Sequence, residues 1–263
     1  MITASSVIDK EISGSYTVVV PIPVDSVKMN KTTVSLAAGK TETLKGTVSP
    51  ADATYPELTW KSSNTAVATV NADGMITAKT VGTATITAVS GNGKSAASKV
   101  IVYGWIKQNG SWKYLNSNGK YSDNGWQKIS GKWYYFKNTV MKTGWISSGG
   151  KWYYLNSSGA LVTGWQKVSG KWYYMNGSGA MLTGWQKISG VWYYLESSGA
   201  MATGWKKISG VWYYMNSSGA MQTGWHKISG TWYYFKSSGA MVTGTYTIDG
   251  KTYRFGSSGA WIS

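Results

Sequence analysis

The sequence predicts an all-β protein in two parts, a β-sandwich over residues 24–103 and a β-hairpin solenoid over residues 104–263. Two observations carry this. Short alternations of apolar and polar residues, separated by clusters of Gly, Asn, Asp and Ser, fill the first part. In the second, a unit recurs seven times with Gly-Trp starting at 104, 125, 144, 164, 184, 204 and 224. Self-similarity at a fixed period marks a solenoid, whose unit cannot bury its apolar face alone. No long helical period interrupts either part.

In the first part, strands are expected at Val34–Leu36, Thr43–Val48, Leu58–Trp60, Ala66–Val70, Met75–Ala78, Ala84–Val89 and Lys99–Val102. The turns between them fall at Ala38-Gly39-Lys40, Ser49-Pro50-Ala51-Asp52, Ser62-Ser63-Asn64 and Asn71-Ala72-Asp73-Gly74. Trp60, the one tryptophan before residue 104, is expected inside, because a single aromatic on a small sandwich packs into its core. The runs Ser49-Pro50-Ala51-Asp52-Ala53-Thr54, Thr59-Trp60-Lys61-Ser62-Ser63-Asn64, Val67–Val70, Gly74–Ala78 and Gly82–Ala88 closely resemble the bacterial immunoglobulin-like domain of group 2. That resemblance implies a spacer or stalk unit. Residues 1–23 read as a remnant strand, Tyr16-Thr17-Val18-Val19-Val20, and a Pro21-Ile22-Pro23 linker after a missing upstream domain. The start, Met1–Ser6, has neither the basic nor the apolar region of a signal peptide.

Each repeat carries two tryptophans seven residues apart, and these pairs hold fourteen of the sixteen tryptophans. Ser169-Gly170 is a two-residue hairpin signal, and Asn109-Gly110 is its strongest form. Such a turn sets Val168 opposite Lys171, Lys167 opposite Trp172, Gln166 opposite Tyr173 and Trp165 opposite Tyr174. Alternation then puts Trp165, Trp172 and Tyr174 on one face, with Gln166 and Tyr173 on the other. One hairpin is too small to be stable by itself. Stacked hairpins would leave an aromatic notch at each junction, without acidic partners. Such a notch suits a quaternary ammonium, which cannot donate hydrogen bonds and is held by ring quadrupoles.

The run Gly-Trp-x-Lys-x-x-Gly-x-Trp-Tyr-Tyr-x-x-x-Ser-Gly-Ala-Met-x-Thr resembles the choline-binding, or cell-wall-binding, repeat of Gram-positive surface proteins and phage endolysins. The resemblance covers residues 104–263. It implies a left-handed superhelix of hairpins holding choline on teichoic acid, with two tryptophans from one hairpin, a tyrosine from the next and an intervening methionine. The implied sites are Trp165, Trp172, Met181 and Tyr194; Trp185, Trp192, Met201 and Tyr214; and Trp205, Trp212, Met221 and Tyr234. Upstream they are Trp145, Trp152, Leu161 and Tyr174, then Trp126, Trp133, Met141 and Tyr154. At the ends, Trp105, Trp112 and Tyr135 lack a methionine, and Trp225, Trp232 and Met241 meet a degenerate unit. There Thr245, Thr252 and Arg254 replace both tryptophans and the second tyrosine, and Trp261 takes the methionine phase. That last unit is expected to be a cap. The first tyrosine of each pair (Tyr153, Tyr173, Tyr193) is read as packing, and His226 as an exposed strand residue.

Net charge is +16, of which +14 lies in residues 104–263. This favours a polyanionic partner. Nucleic acid is not expected, since Arg254 is the only arginine and the lysines are scattered. The chain has no cysteine and one histidine, and the repeats hold three acids (Asp123, Glu196, Asp249), so neither a metal site nor a catalytic constellation is expected. No apolar run reaches transmembrane length.

The sequence therefore points to a non-enzymatic module without cofactor, bound at the bacterial cell surface to choline or phosphocholine on teichoic or lipoteichoic acid. It would be the targeting part of an endolysin, autolysin or surface protein. The alternative is a carbohydrate-binding repeat module, as in clostridial toxins or glucan-binding proteins. A homodimer is neither indicated nor excluded.

Overall fold

The computed structural model describes residues 2–5, 13–16, 18 and 20–263. Among them there are only strands and turns, and no helix. At the N-terminus Ile2–Ser5 pairs antiparallel with Ser13–Tyr16. The strand expected at residues 16–20 falls partly outside the described residues.

The chain divides into two compact units, residues 1–127 with 135–141, and residues 128–134 with 142–263. In the first unit, Gly82–Ser90 lies between Leu58–Ser62 and Ser95–Gln108, antiparallel to both. Thr33–Ala37 adds in parallel on the far side of Ser95–Gln108. The opposing layer consists of Ala68–Val70, Met75–Ala78 and Thr41–Thr43, together with a Ser26–Met29/Gly46–Ser49 pair. Alternation drives the core: Ala84, Ile86 and Ala88 point inward and meet Leu44, Ile76, Val100 and Val102, all buried. Trp60 packs against this core as expected.

The single strand expected at Thr43–Val48 is instead two strands. Leu44 leaves the ladder to plug the core, and its N–H goes to Gly74 O at 3.0 Å. Lys45 N–H is taken by Asn30 Oδ1 at 2.9 Å, so no backbone donor is left unpaired at the crossing.

Ser95–Gln108 runs unbroken through the position where composition changes, and its far end pairs with Ser111–Leu115 as the first hairpin of the repeats. Ser35 Oγ donates to Ser117 O at 2.6 Å, and Ile101 packs against Gly119, tying the sandwich to the first repeat. Removing residues 1–103 should therefore speed amide exchange within residues 104–121. Retention on a choline-mimicking amine resin should persist through the later repeats. Unchanged exchange in residues 104–121 would show that the shared strand contributes nothing to that hairpin.

The second unit contains six complete hairpins, from Gly144–Ser148/Lys151–Leu155 to Gly244–Ile248/Lys251–Phe255. Their register matches the expectation, with Trp165 opposite Tyr174 and Lys167 opposite Trp172. Ser169 and Gly170 both have positive φ, +49° and +81°, as a type I′ turn requires.

The last residue of each second strand is buried: Leu155, Met175, Leu195, Met215 and Phe235 are 0% exposed, and Phe255 2%. This column is the stacking core, and it leaves the second tryptophan of each pair free to stay 40–50% exposed. Between hairpins one backbone hydrogen bond recurs: Met181, Met201, Met221, Met241 and Trp261 donate to the carbonyls of Trp152, Trp172, Trp192, Trp212 and Trp232. Leu161 donates likewise to Trp133. One face of the hairpin Gly244–Ile248/Lys251–Phe255 is polar and exposed at Thr245, Thr247, Thr252 and Arg254.

Candidate aromatic notches

Each notch begins with two indoles of one hairpin standing nearly perpendicular. Trp145 and Trp152 lie 6.5 Å apart at 83°, Trp165 and Trp172 6.4 Å at 90°, and Trp185 and Trp192 6.3 Å at 87°. The following hairpin supplies a phenol edge-on to the first indole. Tyr173 is 4.9 Å from Trp145, Tyr193 4.9 Å from Trp165, Tyr213 4.8 Å from Trp185, and Tyr233 4.8 Å from Trp205.

The floor is a methionine. Trp145, Trp152, Tyr173 and Met181 line a cavity of about 400 Å³ that Ser197 and Ser198 edge on one side. Trp185, Trp192, Tyr213 and Met221 line its counterpart of about 350 Å³, edged by Ser237 and Ser238. Each of these notches draws on three successive repeats.

This grouping corrects the expected one in two respects. The second tyrosine of each pair does not close the preceding notch. Tyr135, Tyr154, Tyr174, Tyr194, Tyr214 and Tyr234 lie 5.1–5.3 Å from the first tryptophan of their own hairpins. The reason is alternation: Tyr194 shares a face with its own Trp185 and Trp192, so only Tyr193 can face back toward Trp165. The first tyrosines, read as packing, are the third walls.

The methionines are displaced by one repeat. Met181 belongs with Trp145 and Trp152, not Trp165 and Trp172, because its N–H is bonded to Trp152 O. Likewise Met201 sits on Trp172, Met221 on Trp192 and Met241 on Trp212, while Leu161 sits on Trp133. Met141 pairs with Phe136 in a short ladder. In the first repeat Trp105 meets Tyr114 of its own hairpin at 5.1 Å and stacks on Phe136 at 5.9 Å.

The last pair has a complete notch rather than a bare cap. Trp225 and Trp232, 6.4 Å apart at 84°, join Tyr253 and Trp261 around about 390 Å³. Val242, Ile248 and Phe255, buried beneath, anchor that hairpin.

No carboxylate lines these three cavities. Glu196 is occupied by an ion pair with Lys206. Lys167, Lys187, Lys207 and Lys227 lie directly across the ladder from the exposed tryptophans Trp172, Trp192, Trp212 and Trp232. His226 Nε2 lies 3.0 Å from Thr223 O, outside the notches. Among the described residues there is no group of three His, Asp or Glu placed to hold a metal ion, and no helix long and apolar enough to cross a membrane.

A stack of hairpins with aromatic boxes between them defines a repeat-built binding module. The choline-binding repeat profile matches six overlapping stretches from residue 124 to 263, and the putative cell wall binding repeat matches residues 104–121. The chain belongs to the choline-binding repeat family. Residues 23–101 match the bacterial Ig-like domain of group 2.

Among solved structures, the chain is similar to CbpJ of Streptococcus pneumoniae, at 36% identity and a TM-score of 0.58, over 72% of this chain and 73% of that one. It is also similar to choline binding protein F of the same species, at 34% identity and a TM-score of 0.59, over 73% of each. A further structure of that protein is a complex with ipratropium, at 33% identity and a TM-score of 0.59, over 73% of this chain and 74% of that one.

Curated relatives match over shorter stretches. The minor capsid protein of Enterobacteria phage T3 is 45% identical over 84 residues, 32% of this chain and 19% of that protein. Kappa-carrageenase of Pseudoalteromonas carrageenovora is 42% identical over 71 residues, 27% of this chain and 18% of the enzyme. The chain thus spans under a fifth of either protein.

Proposed function

We propose that the chain is a non-catalytic anchor that holds choline groups of bacterial teichoic acids in its inter-hairpin notches, the targeting part of a wall-associated protein. The observation that carries this reading is the notch itself: two perpendicular indoles, a phenol and a thioether, with no carboxylate. A trimethylammonium presents only methyl groups, so it loses little by leaving water for such a box and gains from each ring face. Cation–π contacts contribute about 0.5–2 kcal/mol each. Immobilising the ligand offsets much of that, so a single notch binds at roughly millimolar strength.

Strength comes from number. Linked notches meeting a polymer with many cholines gain about two to four decades of avidity. The lysines opposite the exposed tryptophans stand where they can meet the phosphates of such a polymer. A sugar would require several side-chain hydrogen-bonding groups converging beside the ring. Besides the aromatic rings, only two serines and a methionine line each of the notches of Trp145/Trp152 and Trp185/Trp192, and this favours the amine over a carbohydrate.

The protein should bind a quaternary- or tertiary-amine resin and elute with free choline, and millimolar choline should raise its melting temperature. Trp192→Ala should lower the number of bound cholines by about one per chain, and His226→Ala should leave it unchanged. A melting temperature that responds to glucose polymers and not to choline would replace this reading with the carbohydrate one.

A further inference from the structure

The last notch differs in kind from those before it. The notches of Trp145/Trp152 and Trp185/Trp192 end in a methionine and are edged by two serines from the repeat after next, Ser197 and Ser198 or Ser237 and Ser238. The cavity at Trp225 and Trp232 is lined instead by Tyr253 and Trp261. The residue at the methionine phase is Trp261. Its backbone is fixed as in the other repeats, with its N–H on Trp232 O at 2.9 Å and a bridge to Phe255. Its indole lies 6.0 Å from Trp225 at 79°, while Tyr253 lies 5.1 Å from the same ring. The lining is therefore three indoles and one phenol.

We propose that this C-terminal notch is a separate site for a bare quaternary ammonium, closed by Trp261, and that it fills before the interior notches. The proposal rests on the amine reading of the interior notches and goes beyond it in ranking one site above the others. A third indole in place of a thioether adds one strong ring quadrupole, and tryptophan is the best of the aromatic partners for a cation. One added contact at a half-exposed site corresponds to an affinity about two- to fivefold higher.

Trp261 is 43% exposed, so replacing it leaves the fold in place, and methionine is the residue at its phase in five other repeats. The test is a choline titration of the full chain labelled with 5-fluorotryptophan and followed by fluorine NMR. Trp261→Met identifies the Trp261 resonance by its loss.

In the wild-type protein the Trp261 signal should shift at a choline concentration two- to fivefold lower than the interior tryptophans. In Trp261→Met the Trp225 and Trp232 signals should move to the interior midpoint with the number of sites unchanged. In Trp261→Ala the terminal site should weaken further, below the interior ones. Trp261 titrating together with or after the interior tryptophans would overturn the ranking while leaving the amine reading intact. Absence of any choline-dependent shift would overturn both. If the Trp261 signal instead moves with protein concentration, and sedimentation shows a dimer that Trp261→Met abolishes, the notch is a contact between copies and the proposal fails.

Discussion

Phe235→Ala is expected to lower the stability of the repeat stack by about 3–5 kcal/mol, the usual cost of emptying a buried aromatic position. Phe235 is 0% exposed and stands in the column formed by Leu155, Met175, Leu195, Met215 and Phe255. It meets Trp205 at 5.7 Å and Tyr214 at 6.4 Å on the hairpin before it, and His226 at 6.1 Å on its own. In a stack held by nearest-neighbour contacts, a cavity at one junction weakens the coupling on both sides. The denaturation curve should therefore broaden or split as well as shift. Met215→Leu, which keeps the volume of another member of the column, should cost less than about 1.5 kcal/mol. A loss below about 1 kcal/mol for Phe235→Ala in chemical denaturation would mean that the exposed tryptophans, not this column, hold the hairpins together.

That column bears on what could be read in advance. Hairpin register followed directly from the Ser169-Gly170 turn, because a two-residue turn leaves one pairing only. The tryptophan pairs announced the notches because their phase never drifts. The partners of those pairs were harder to place. A tyrosine doublet such as Tyr193-Tyr194 offers two chemically equal rings on opposite faces, and choosing between them needs the direction in which hairpins stack. Alternation puts Tyr194 on the face of Trp185 and Trp192, and the stacking then brings Tyr193 to Trp165 of the hairpin before.

The methionines were ambiguous for another reason. Met175 and Met215 are wholly buried in the column, while Met181 and Met221 floor notches one repeat back. Only the hydrogen bond from the Met181 N–H to Trp152 O fixes that phase, and no side-chain pattern announces a backbone bond. In the sandwich, Leu44 reads as the middle of a strand by alternation, yet burial of its side chain takes precedence over the ladder.

The second large effect is expected from Gly199→Ala, at a residue that touches no ligand. Gly199 has φ +82°, and a Cβ there would overlap Sδ and Cε of Met181, the floor of the notch formed by Trp145, Trp152 and Tyr173. Alanine would carry two costs: about 1–2 kcal/mol for an L side chain in the left-handed region, and about 1–3 kcal/mol for overpacking against the methionine. Gly210 separates these costs. It has φ +84°, but a Cβ there would meet nothing within 4 Å, so Gly210→Ala carries the first cost alone. Both variants should lose stability, Gly199→Ala more. Gly199→Ala alone should also bind about one choline fewer per chain, because the new Cβ displaces Met181 from its place in the notch. Calorimetric titration of the folded variants gives the site count. Equal counts for the two would mean that the notch binds without Met181 in that place, and that the floor of the site is not held by the glycine of the following repeat.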